Sequence, residues 1–279
     1  MLQSLRSREA AMPFIMLTVL IDMMAIGVVI PVLPPLVAAF SDSQADQAYW
    51  YGVVACAFGA ATFIGSPVLG ALSDHFGRRR VLLLCFLGLA LSFFGTALAT
   101  TLSGLIAWRV VGGAMQANAA IASAYVADIS APEQRAKRFG LLGAMMGLGF
   151  IFGPVLGGLL GAIDLHLPFY VSGALALMNL AYGFFVLPES LPDGRRKRFD
   201  WRSANPVTSL SKLAQLRGVG PLVGVVAFSG LAQFVLYTCW VLYGTSSLVG
   251  ARVRAAGLWP RWGWWRWRFR AFCWVACSR

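Results

Sequence analysis

Charged side chains are what this chain has least of. Asp, Glu, Lys and Arg make up 12% of its 279 residues, about half their share in an ordinary soluble domain. Acids are the scarcer sign, 11 against 23 Lys and Arg, and none follows Asp200. That is not the composition of a domain wetted on all sides. Cysteines number five, and Cys56, Cys85 and Cys239 lie inside apolar stretches; an odd, scattered set excludes a disulfide framework and zinc-type spacing, so no metal site is expected. No Gly-x-x-x-x-Gly-Lys-Ser/Thr phosphate loop occurs, which removes nucleotide hydrolysis as a source of work, and no cofactor is expected.

Apolar residues fill the space instead. They are 58% of the chain, with a mean hydropathy of +0.71, above the roughly 45–50% of globular domains. A helix needs about 20 apolar residues to cross a bilayer, and seven runs offer that length: 13–40, 50–72, 81–102, 104–126, 139–161, 168–187 and 219–243. The fold class expected is an all-α membrane protein. The first run follows Arg6 and Arg8 but is much longer than the apolar core of a cleavable leader and lacks a small-residue cleavage site, so it reads as a retained first span.

The placement of charge gives the orientation. With the amino terminus in the cytoplasm and sides alternating, 15 Lys and Arg between Arg6 and Arg217 fall on the inner side. The three outer connections before the seventh run hold none, only Asp42, Asp46 and Asp164. This is the positive-inside distribution, so the pI near 10.2 records topology and not a nucleic-acid surface. The lipid bilayer is the expected partner.

Four regions follow: a six-helix bundle at 1–187, a basic inner loop at 188–218 with Arg195, Arg196, Lys197 and Arg198, a seventh span at 219–243, and a tail at 244–279. Six spans, a basic linker and another span form the opening of a two-halved transporter, each half an inverted pair of three-helix repeats. Such a plan would continue through further spans. The tail is rich in Arg and Trp instead, with seven of the 23 basic residues, and beyond a seventh crossing it would lie outside, against the charge rule. One reading is a Trp/Arg element on the membrane surface; the other, which the charge mismatch favours, is an altered reading frame or truncation after about residue 243.

The connection between the second and third spans reads Gly70-Ala-Leu-Ser73-Asp74-His75-Phe-Gly77-Arg78-Arg79-Arg80. It predicts a tight reversal in which Gly70 and Gly77 permit close backbone approach and Asp74 faces the arginines. A plain basic inner loop accounts for the arginines but not for Asp74 or the glycine spacing. In the fifth span Gly149, Gly153, Gly157 and Gly161 recur every four residues, with Pro154 and Gly158 between. That face can lie backbone-close to a neighbour, and Pro154 favours a bend. Only two charges fall within the spans, Asp22 and Arg109, where each is costly and therefore informative. Asp22 reads as a proton carrier or as a structural anchor, and Arg109 as a side chain snorkelling to the outer surface. Gln116, Asn118, Asn179 and Gln233 read as hydrogen-bond glue between helices or as substrate contacts. Ser130 and Glu133 have capping-box spacing for the next helix.

The loop resembles the signature of the major facilitator superfamily, Gly-x-x-x-Asp-Arg-x-Gly-Arg-Arg, with His75 in place of one basic residue. The Gly153-Pro154-x-x-Gly157-Gly158 core of span five is similar to the motif that marks its antiporters. Residues 22–35, Ser73-Asp74, 127–140 and 168–190 further resemble the twelve-helix tetracycline exporters, which often carry an acid in helix three where this chain has Leu91-Ser92-Phe93. The resemblance implies a multi-pass protein of the bacterial inner membrane that exchanges a cytoplasmic small-molecule drug, tetracycline as a metal complex, for an external proton. It implies coupling through Asp22 and Arg109, gating by Gly70, Ser73, Asp74, Gly77, Arg78 and Arg79, and a latch between Asp128 and Arg78. Gln116 and Asn118 are substrate candidates, and no enzyme activity is implied. A non-functional fragment of such an exporter and an exporter of another small molecule are the alternatives.

Overall fold

The computed structural model describes residues 2–191 continuously and scattered positions between 194 and 239, with side chains from residue 12 onward. Eight α-helices follow in order: α1 Leu2–Val29, α2 Leu33–Ala38, α3 Gln44–Phe76, α4 Arg78–Ala97, α5 Leu102–Ala114, α6 Asn118–Ile129, α7 Arg135–Gly161 and α8 Leu167–Val186. No strand occurs among the described residues. The chain divides into two units, one ending at Leu231 and one from Ala232 to Arg279. In the second, Phe234, Val235, Leu236 and Cys239 are helical and exposed. Of the 25 residues of the expected seventh span 14 are described, all of them helical, and the tail lies wholly outside the described residues.

Local chemistry sets the helix boundaries. Ser43 and Thr101 cap α3 and α5, accepting from the backbone amides of Asp46 and Gly104, each at 3.1 Å, the usual solution for amides that lack an intrahelical partner. On α8 that duty falls to Asp164, whose Oδ1 accepts from His166 N at 2.6 Å and Leu167 N at 3.2 Å. Between α3 and α4 the reversal is a single residue, Gly77, at φ +104°, a conformation that side chains with a Cβ rarely adopt. Arg78, Arg79 and Arg80 therefore form the first turn of α4 instead of a loop. Residues 30–32 interrupt the first span and residues 115–117 the fourth.

Six segments are long and apolar enough to cross a membrane: Met12–Ala38, Gln44–Phe76, Arg78–Ala97, Leu102–Ile129, Pro132–Gly161 and Leu167–Val186. Their pairing has internal symmetry. α1 packs on α7 and α8, the α5–α6 span packs on α3 and α4, and α4 packs on α8. Exchanging the first three spans with the last three carries the α1 pairs onto the α5–α6 pairs and the α4–α8 pair onto itself. Three crossings leave a chain on the opposite side of a membrane, so the second triplet runs inverted relative to the first. The buried core includes Ile15, Leu82, Phe86, Ile121 and Tyr125. Large apolar side chains such as Phe63, Leu91, Ile151 and Phe185 stand exposed; in water such a surface would be a liability, whereas acyl chains cover it at no cost.

Two sequence expectations change here. Ser130 and Glu133 do not form a capping box, because Pro132–Gln134 makes a 3-10 turn and α7 starts only at Arg135. The Ser130 hydroxyl instead donates back to Val126 O at 2.5 Å. Around Gly70 a Cβ would meet nothing within 4 Å, so that glycine is not required by close approach. α7 continues unbroken through Pro154.

Candidate functional site

Two polar assemblies stand out, one at the junction of α3 and α4 and one inside the bundle. At the junction Arg78 uses three nitrogens on three partners. Nη2 pairs with Asp74 Oδ1 at 2.5 Å, Nε with Asp128 Oδ2 at 3.3 Å, and Nη1 donates to Ser73 Oγ at 2.6 Å. The Arg78 side chain is 12% exposed. Only a planar guanidinium offers donors in that fan, and it ties the end of α3, the start of α4 and the end of α6 together. The Ser190 hydroxyl adds a donation to Asp128 Oδ2 at 3.4 Å.

Glu189, which sequence reasoning passed over, completes this cluster. Its Oε1 accepts from Arg78 N at 2.9 Å and its Oε2 from Arg79 N at 3.3 Å. A carboxylate thus sits on the exposed amides of α4, where the helix dipole also favours negative charge. In return the Arg79 guanidinium donates to Phe184 O and to Gly183 O, which also accepts from Leu187 N at 3.3 Å, both carbonyls in the last turn of α8. The two helices exchange caps. The contact also explains Gly77 a second time: a Cβ there would lie 2.9 Å from Glu189 Cδ. Replacing Glu189 with Ala is expected to destabilise the detergent-purified chain by about 1 kcal/mol, within the range of about 0.5–2 kcal/mol for losing a helix cap. Replacing the exposed Glu133 should change it by less than about 0.5 kcal/mol. Equal shifts in thermal unfolding for the two variants would refute the capping role.

Inside the bundle Asp22 and Arg109 are the charged side chains that are buried among the described residues, at 6% and 8% exposure. Asn118 Nδ2 donates to Asp22 Oδ1 at 2.6 Å, so a neutral amide is the partner of the acid. The break at 115–117 starts a new helix at Asn118, which brings that amide to α1. The Arg109 guanidinium lies 4.5 Å over the Phe58 ring, a cation–π contact, and does not snorkel to the surface. Gln116 lines a small cavity beside it. Asn179 Nδ2 donates to Thr18 O at 2.8 Å, tying α8 to α1. Gln233 lies outside the described residues. Among the described residues no group of three or more His, Cys, Asp or Glu is placed to hold a metal ion.

The glycine face of α7 meets α1. A Cβ on Gly149 would come 2.6 Å from Met23 Cβ, one on Gly153 2.6 Å from Gly27 Cα, one on Gly157 2.8 Å from Val28 C, and one on Gly161 2.9 Å from Val32 Cγ2. Gly158 faces open space and does not belong to this seam. The symmetry-related crossing of α3 and α5 is equally tight. Cβ atoms on Gly65 and Gly113 would lie 2.8 Å from Ala114 Cα and 3.0 Å from Ala61 Cβ. Sequence reasoning missed Gly65, since a lone glycine shows nothing until its crossing partner is known.

Comparison with known proteins places this architecture. The family model described as Major Facilitator Superfamily matches residues 15–268. The class C tetracycline resistance protein of Escherichia coli is 39% identical over 249 residues, 86% of this chain and 62% of the relative. The class B protein of Escherichia coli is 34% identical over 246 residues, covering 86% and 61%. The crystal structure of the human organic anion transporter MFSD10 (TETRAN) superposes with a TM-score of 0.65 at 26% identity, covering 75% of this chain and 56% of that one. The chain spans about three fifths of the length of these curated relatives. With the inverted three-helix repeats, the glycine seams and the family match over most of its length, this multi-pass membrane chain belongs to the Major Facilitator Superfamily, as the N-terminal six-helix half of that fold.

Proposed function

We propose that this chain provides the N-terminal half of a proton-driven drug exporter of the bacterial inner membrane, its amino terminus in the cytoplasm and tetracycline, as a metal complex, its substrate. The observation that carries the reading is Asp22: a carboxylate buried in the spanning layer whose amide partner, Asn118, is neutral. An acid held there costs stability, and taking up a proton relieves that cost. Protonation then drives a conformational change only to the extent that one state favours the neutral form. Arg109 is the second coupling residue. The Asp74–Arg78–Asp128 junction acts as the latch of one conformation, with Gly77 as its pivot. The Asn118 amide is taken up by Asp22, which favours a positioning part for it over substrate contact, whereas Gln116 keeps its carbonyl oxygen for other partners. Transport of this kind makes and breaks no covalent bond, so the protein is not an enzyme.

The names of the relatives support a drug as cargo and the buried acid supports the proton. Tetracycline accumulation in cells expressing the chain, with and without a proton uncoupler, tests both. The expected result is exclusion of tetracycline that the uncoupler abolishes. Exclusion of a different compound would move the substrate assignment, and accumulation equal to that of control cells would overturn the reading for this chain.

A further inference from the structure

The break between α5 and α6 delivers a second polar group besides Asn118. Gln116, two residues earlier, lines a small cavity together with Arg109, Ser92, Phe93, Ile26 and Val29. About 10 Å³ of it is open to the centre of a water molecule, room for about one water. Arg109 Nε and Gln116 Oε1 are both buried and without a hydrogen-bond partner. Leaving such a donor and acceptor unpaired in a low-dielectric interior forfeits the hydrogen bonds both would have made to water. Ser92 is fully buried, and its hydroxyl proton goes to Trp108 O at 2.7 Å. Its oxygen lone pairs are therefore what it can offer the cavity. No carboxylate lines the cavity.

We infer that this cavity is a binding site for one resident water. The water accepts from Arg109 Nε–H and donates to Gln116 Oε1 and to Ser92 Oγ, three bonds in all, the usual complement of an internal water. A small anion suits the site less well: it would satisfy the guanidinium but face two oxygen acceptors, unless the Gln116 amide were reversed. Ile26 and Val29 lie four and seven residues along α1 from Asp22, on the same helical face. The water therefore hydrates the buried guanidinium about one turn from the buried acid. The site follows from geometry alone and stands whether or not the chain exports a drug.

Radiolytic hydroxyl-radical labelling of the detergent-purified full chain, read by mass spectrometry, tests it, since radicals born from a bound water mark the side chains beside it. Phe93 lines the cavity and is 3% exposed; Phe86 and Phe169 are 0% exposed and lie elsewhere. Phe93 should be oxidised while Phe86 and Phe169 stay unmodified. In Gln116→Leu the Phe93 label should fall about fivefold, the equilibrium factor of one hydrogen bond of ordinary net strength. Equal labelling of Phe93 and Phe86 in the native chain would overturn the site without recourse to any variant. A native level of label in Gln116→Leu would remove Gln116 from it. Suppression of the native Phe93 label by millimolar fluoride, which hydroxyl radicals do not oxidise, would make it an anion site and overturn the water assignment.

Discussion

Gly153→Leu is expected to destabilise the chain by about 3 kcal/mol or more in detergent, at or beyond the upper end of ordinary overpacking. The reason is what its side chain would meet. A Cβ at that position already lies 2.6 Å from Gly27 Cα and 2.8 Å from Met24 O, backbone atoms that no rotamer change can clear. α1 and α7 would have to separate along a seam that also includes Gly149 and Gly157. Gly158→Leu, five residues along and within the same sequence motif, should raise stability by up to about 0.8 kcal/mol through helix propensity alone, because nothing lies within 4 Å of its Cβ. Thermal unfolding of the two variants side by side decides the matter. Equal effects would mean that the motif does not act through contact with α1.

Asp22→Asn is expected to abolish uncoupler-sensitive exclusion of tetracycline while leaving the fold in place. The carboxamide oxygen can still accept from Asn118 Nδ2, so the 2.6 Å contact between α1 and α6 survives. Removing an ionisable group from the spanning layer also removes its insertion cost of about 2.5–3.5 kcal/mol. Stability and transport should therefore move apart: an unfolding midpoint at or above native, with no proton-driven exclusion. Asp22→Glu keeps the titrating group and should keep part of the activity. Native exclusion by Asp22→Asn would remove this residue from the coupling mechanism.

Much of this was legible in residue order because a bilayer imposes simple rules. Six runs of apolar length and the confinement of arginines to alternate connections are read by counting, and the four-residue recurrence of Gly149, Gly153, Gly157 and Gly161 names a helix face. The partner of that face was not legible. Nothing local says that Gly153 meets Gly27 or that Gly65 meets Ala114, since both depend on which helices cross. Glu189 was invisible for a related reason: its carboxylate serves amides 110 and 111 residues earlier. The Ser130–Glu133 spacing misled because local patterns compete, and Pro132 drew the chain into a 3-10 turn before a capped helix could start. Gln116 and Asn118 looked alike as polar residues in an apolar run. Only the helix break separates them, sending one to the cavity and the other to Asp22.

The exchange of caps between α4 and α8 bears on how the molecule is made. During synthesis the third span leaves the ribosome some hundred residues before Glu189, so its leading amides must first be served by water or lipid headgroups. Arg79 likewise waits for the carbonyls of a helix not yet translated. The junction can therefore close only after the sixth span has been made, and its closure requires both triplets to be inserted in matching orientation.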